Sequence, residues 1–147
     1  MAQFLSDFNY KHDLPKGWAW STIGKISLKI HYGYTAKADK KSTGIKMLRI
    51  TDIQQNSVDW DNVPSCKIDE DNVSRYLLKE GDIVFARTGA TVGKSYLIDE
   101  NVPNAVFASY LIRIILSKQI EKKFVYYFFQ SPFYWNQIHS EKSGTGQ

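Results

Sequence analysis

Between Asp82 and Ile98 the chain holds two short runs of branched and aromatic residues, Asp82-Ile83-Val84-Phe85-Ala86 and Ser95-Tyr96-Leu97-Ile98. They are separated by Arg87-Thr88-Gly89-Ala90-Thr91-Val92-Gly93-Lys94. Apolar runs this short, split by glycines, predict a strand, a loop and a second strand, which is a β-hairpin. The tripeptide Gly93-Lys94-Ser95 also ends as a phosphate-binding loop does. Such a loop needs a glycine where Thr88 stands, and a helix straight after the serine so that its dipole meets the phosphate. Ser95-Tyr96-Leu97-Ile98 has no helical apolar spacing and runs into Asp99-Glu100-Asn101. The hairpin is therefore the better reading. A nucleotide-binding enzyme using residues 89–95 as a degenerate phosphate loop stands as its alternative. A hairpin tip carrying Arg87, Thr88, Thr91 and Lys94 around Gly89 and Gly93 is suited to meeting a ligand.

Length and composition place that hairpin in one folded domain. The 147 residues suffice for a single hydrophobic core, and 43% apolar with 14% aromatic content excludes a disordered chain. Cys66 is the sole cysteine, so neither an internal disulfide nor a cysteine-based zinc cluster is expected. An intracellular, cytoplasmic address follows as an expectation. The first residues show no basic region leading into an apolar one, and the apolar run from Ala105 to Leu116 is interrupted by Arg113 and too short for a membrane. The net charge of +4 leans toward polyanionic partners. Its distribution says more: Lys37, Lys40, Lys41, Lys46 and Arg49 cluster ahead of the acidic groups Asp59-Trp60-Asp61 and Asp69-Glu70-Asp71.

Along the chain, residues 1–13 read as a tail and Leu14-Pro15-Lys16-Gly17-Trp18 as a turn. Alternation predicts a strand over 26–30, and 46–53 is the next strand candidate. Asp69 is a helix cap, with Val73, Leu77 and Leu78 on an apolar side and Gly81 as the stop. Residues 105–116 read as one long strand buried on both faces over part of its length. Phe124, Tyr127 and Phe128 have helical spacing, and Ser131-Pro132 starts a second helix with Phe133, Tyr134, Trp135 and Ile138. The class is α+β: a mixed, curved β-sheet with hairpins and short helices, closed by a C-terminal pair of aromatic helices. Trp18, Trp20, Tyr127, Phe128, Phe133 and Trp135 are expected in the core.

Catalytic patterns find no support. His12, His31 and His139 have no metal-spaced neighbours, and the loop opened by Asp59 and Asp61 has Pro64 where a calcium loop requires glycine. There is no nucleophile elbow, no Cys/His couple and no carboxylate pair. A non-catalytic binding domain remains, with a carbohydrate-binding or protein-interaction module using exposed aromatics as a further alternative. The residues best placed to bind lie in glycine-bearing loops: Tyr34, Thr35 and Lys37 after Gly33, and Arg87, Thr88, Thr91, Lys94 and Ser95 around Gly89 and Gly93.

The order of segments resembles a known family. Leu14-Pro15-Lys16-Gly17-Trp18 with Trp20 and Gly24, Gly33-x-Thr35, Leu48-Arg49-Ile50-Thr51-Asp52-Ile53, Leu78-Lys79-Glu80-Gly81-Asp82-Ile83-Val84 and Arg87-Thr88-Gly89-Ala90-Thr91-Val92-Gly93-Lys94 together look like a target recognition domain. Such domains belong to the DNA specificity subunit of type I restriction-modification systems. The resemblance runs from Leu14 to Gln147, with residues 14–142 as the recognition domain and 143–147 as the start of a linker to a spacer helix. It implies a sequence-specific reader of double-stranded DNA, directing methyltransferase and restriction subunits to one half of a bipartite target and working with a second domain or second copy. S-adenosylmethionine, ATP and Mg are then expected on the partner subunits and not on this chain. Arg49, Thr51 and Asp52 join the binding candidates, Asp52 either orienting Arg49, accepting from a cytosine amino group or simply ending a strand. Ser109 and Tyr110 join them too, standing where many family members carry Asn-Gln.

Overall fold

The computed structural model describes residues 13–39 and 44–144. Most of the expected tail, His12, Lys40, Lys41 and residues 145–147 lie outside that range. Among the described residues the first helix is α1 (Ile23–Ile26), whose Thr22 cap accepts from the Lys25 amide. Strand β1 (Ser27–Tyr32) follows, then β2 (Ala38–Asp39), β3 (Lys46–Leu48), β4 (Ile53–Gln54), β5 (Ser57–Val58) and β6 (Ser65–Cys66). Helix α2 (Glu70–Tyr76) leads to β7 (Ile83–Ala86), β8 (Ser95–Leu97), β9 (Ala105–Phe107) and β10 (Leu111–Leu116). The chain then enters α3 (Lys122–Phe128) and α4 (Pro132–Gly144).

The α+β class holds, but the strands divide among separate sheets. One is antiparallel throughout in the order β1-β10-β7-β8; another runs β2-β6-β3-β9 with β3 and β9 parallel; β4 and β5 form a small ladder. The turn between β4 and β5 puts both Gln55 and Asn56 at positive φ, the geometry that matches a hairpin's twist. Period-two alternation then sorts the side chains. From the first sheet, Ile83 and Ile114 pack with Val125, Phe129 and Tyr134 of the C-terminal helices, while Val84, Ala86 and Leu111 pack with Leu48, Ala105 and Phe107 of the second. A third cluster of Met47, Cys66, Val106 and Ala108 covers the other face of the second sheet.

Several expected elements change at their ends. Residues 46–53 are not one strand: after Leu48 the chain makes a 3-10 turn over Ile50–Asp52, drawn tight because the Asp52 carboxylate accepts from the Arg49 amide at 2.8 Å. The run 105–116 is two strands in two sheets, broken at Ala108-Ser109-Tyr110. Asp69 does cap α2, accepting from the Asn72 amide at 2.9 Å, yet the helix stops at Tyr76, well before Gly81. Ser131 starts α4 as expected. Core assignment by residue type fails for four aromatics, because Trp18, Trp20, Tyr127 and Phe133 are 57%, 52%, 68% and 53% exposed. The buried side of α3 is Val125 with the following Phe129, and Phe128 and Trp135 are partly buried beside it.

A buried polar staple ties these parts together. Arg113 on β10, 4% exposed, donates to the Arg75 and Leu77 carbonyls at the end of α2, to Asp82 at 3.4 Å and to His31 Nε2 at 3.0 Å. Because Nε2 accepts, the His31 proton sits on Nδ1 and is donated to the Tyr32 carbonyl. Burial, followed by the Arg113 charge, lowers the His31 pKa from 6.5 to about 4. Between those values the unfolded chain binds a proton that the folded chain refuses, so stability falls as the pH drops from 6.5 toward 4. Urea midpoints at pH 7 and pH 5 check this. His31→Gln keeps an acceptor for Arg113 without titrating, and is expected to flatten that part of the pH profile.

Candidate nucleic-acid interface

The loop between β7 and β8 is closed at its base by paired amides, Ala86 donating to the Lys94 carbonyl and Gly93 to the Ala86 carbonyl, each at 2.9 Å. Above that base Arg87, Thr88 and Thr91 are exposed. Gly93 adopts φ +91°, and a Cβ there would lie 2.9 Å from the Trp135 ring and 3.1 Å from Ile138. The Tyr134 hydroxyl also donates to the Gly93 carbonyl at 2.7 Å. Helix α4 therefore grips the root of the loop and leaves its tip free. Gly93-Lys94-Ser95 leads into strand β8, so no helix N-terminus stands behind it for a nucleotide phosphate.

Other segments converge on this tip. The Arg87 amide donates to the Tyr110 carbonyl at 3.1 Å, and the Arg87 guanidinium lies 4.4 Å above the Tyr32 ring at the end of β1. That contact holds a flexible cation over an exposed aromatic. Lys94 crosses to the 3-10 turn, its ammonium donating to the Ile53 carbonyl. On that turn Arg49 and Asp52 form a two-pronged pair, Nη2 to Oδ1 at 2.6 Å and Nε to Oδ2 at 3.0 Å. Tyr110 lies close enough to feel both charges; burial raises its phenol pKa, with Arg49 opposing and Asp52 adding to the rise. Thr51 is exposed beside the pair, and Ser109 is half-buried in the crossover.

The remaining candidates occupy a neighbouring shallow depression formed by Tyr34, Thr35, Ala36, Lys37, Asp39 and Lys67. It joins the first face through Gly33 and Ala108, since Tyr34 bridges Ala108 and its ring stands 5.5 Å from Tyr76.

Some candidates hold other groups in place. The Lys94 ammonium is turned inward to a carbonyl, and Ser95 is buried with its hydroxyl accepting from Gln130 at 3.2 Å. Lys46, part of the basic cluster, donates to the Asp61 and Val63 carbonyls at 3.1 Å each, so the cluster does not form one free basic face. Tyr32 was not legible as a candidate. Its only local sign is an aromatic just before Gly33, and its position under Arg87 depends on the register pairing Tyr32 with Ile112 and Ile112 with Phe85.

Comparison with known proteins gives a consistent result. The model of the family described as the type I restriction modification DNA specificity domain matches residues 15–147. The type I restriction enzyme EcoKI specificity subunit of Escherichia coli strain K12 is 26% identical over 127 residues, which cover 83% of this chain and 27% of that protein. The EcoAI specificity subunit of Escherichia coli is 33% identical over 86 residues, covering 56% and 14%. This chain thus spans about a quarter or less of those relatives. Among solved structures, the HsdS subunit from Thermoanaerobacter tengcongensis superposes with a TM-score of 0.63 at 15% identity, covering 83% of this chain and 29% of that one. A second, solved in work on complex assembly and conformational transition of the type I R-M system, has a TM-score of 0.63 at 15% identity, covering 88% and 31%. At that identity the structural likeness speaks for the fold.

Proposed function

Because the chain belongs to the type I restriction modification DNA specificity domain family, we propose that it reads one half of a split double-stranded DNA target. Methyltransferase and restriction subunits would perform the chemistry. The observation that carries this is the convergence of Tyr32, Arg49, Arg87, Thr88, Thr91 and Tyr110, from segments distant in sequence, onto one end of the first sheet. Cations, hydroxyls and aromatic faces in that mixture suit phosphates and base edges together. On this reading the chain binds neither S-adenosylmethionine nor ATP and has no catalysis of its own, and it works in the cytoplasm beside DNA.

Arg87 and Lys94 separate contact from support. Arg87 makes no ion pair among the described residues and lies exposed on Tyr32. Arg87→Ala is expected to weaken binding to all duplexes and to flatten the plot of log affinity against log salt by about one unit, as loss of one phosphate contact does. Lys94→Met, which removes an ammonium already occupied by Ile53, is expected to lower the melting temperature with a smaller change in slope. Titrations of both variants at several salt concentrations check this. An Arg87→Ala protein with unchanged slope and affinity removes the hairpin tip from the interface.

A further inference from the structure

The Arg49 guanidinium is locked by a carboxylate along one of its edges. Nε and Nη2 are taken by the two oxygens of Asp52, and Oδ2 also receives the Arg49 amide, so neither side chain can rotate without breaking the turn. A guanidinium is planar, and fixing its Nε/Nη2 edge fixes the direction of the other, made of Nη1 and the second Nη2 hydrogen. Nη1 has no hydrogen-bond partner among the described residues, and the side chain keeps 34% of its surface exposed, against 9% for Asp52. The pair thus leaves a second edge of two fixed, parallel donors on a partly exposed side chain near Tyr110.

Two parallel donors match two adjacent acceptors. On a duplex, guanine offers such a pair in the major groove, N7 and O6, whereas adenine places a donor at N6 beside N7. We propose that Arg49, oriented by Asp52, is the residue with which this chain recognises a guanine in its half-site; this rests on the DNA-reading function proposed above. Both Asp52 oxygens are occupied and nearly shielded from solvent, so Asp52 acts as a positioning residue and does not accept from a cytosine amino group. A solvent-exposed ion pair with no ligand role is the competing view.

The test uses the full 147-residue chain and a random-sequence duplex pool, enriched at low ionic strength. The wild type is expected to enrich a motif holding at least one position where guanine is favoured by about tenfold, within the range of a bidentate base contact. Arg49→Lys and Arg49→Ala should abolish that preference, and Asp52→Asn should reduce it several-fold, while the other positions of the motif persist. Melting curves verify that each variant is folded. A probe on the DNA side leaves the protein untouched: 7-deazaguanine at that position, which lacks the N7 acceptor, should weaken the wild type and leave Arg49→Ala unaffected. A motif whose guanine preference survives in Arg49→Ala, or equal loss with 7-deazaguanine in both proteins, overturns the proposal while sparing DNA reading. Failure of the wild type to enrich any motif overturns both.

Discussion

Gly33→Ala is expected to lower the thermal midpoint by about 10 °C or more and to abolish duplex binding with it. A Cβ at position 33 would lie 2.2 Å from the Ala108 carbonyl oxygen and 2.3 Å from that of Phe107. Neither is a side chain that could swing away; both belong to the strand crossover. Room can come only from moving residues 33–34 away from the crossover between β9 and β10. That breaks the bond from the Gly33 amide to the Leu111 carbonyl at 3.2 Å and that from the Tyr34 amide to the Phe107 carbonyl at 2.8 Å. Overpacking against rigid backbone with two hydrogen bonds lost implies roughly 3 kcal/mol, and for a chain of this length each such unit is worth about 4 °C. Function fails for a linked reason: Tyr32 and Tyr34 flank Gly33, and Tyr32 supports Arg87. Thermal melts read beside duplex titrations check this, and a variant melting within about 2 °C of the wild type would show that the crossover yields more easily than its geometry implies.

Arg113→Met should destabilise the chain by about 3–5 kcal/mol, the usual result of leaving one partner of a buried ion pair alone. Methionine fills much of the volume but supplies no donor to the Arg75 and Leu77 carbonyls, and leaves Asp82 without its cation. Burial already raises the Asp82 pKa and lowers that of Arg113, so each charge is tolerated through the other and through the Lys79 amide that donates to Asp82 at 2.9 Å. The double variant Arg113→Met/Asp82→Asn should recover part of the loss, because the stranded carboxylate is gone. Chemical denaturation of the two variants measures the difference. A double variant less stable than the single one would show that the capped end of α2, and not the charge on Asp82, carries the cost.

Local chemistry determined the elements whose ends are set by a few neighbouring residues. The Asp69 cap, the Ser131-Pro132 helix start and the β7–β8 hairpin with its glycines were legible because the groups that satisfy them lie within a few positions in sequence. The family resemblance was legible for the same reason, being a series of short motifs in order. Tertiary structure decided what joins what. No local sign divides residues 105–116: the run is apolar on both sides of Ala108-Ser109-Tyr110, and it is the parallel pairing of β9 with β3, against the antiparallel pairing of β10 with β1 and β7, that assigns its halves to different sheets. The candidate site divided in the same way. Its loops could be named from glycines and polar side chains, but whether a lysine faces solvent or a distant carbonyl depends on which strand packs beside it. Lys94 meets Ile53 and Ser95 meets Gln130 across 41 and 35 residues. Side-chain direction in a sheet is fixed by register, and register is a property of paired strands, which a single stretch of sequence does not contain.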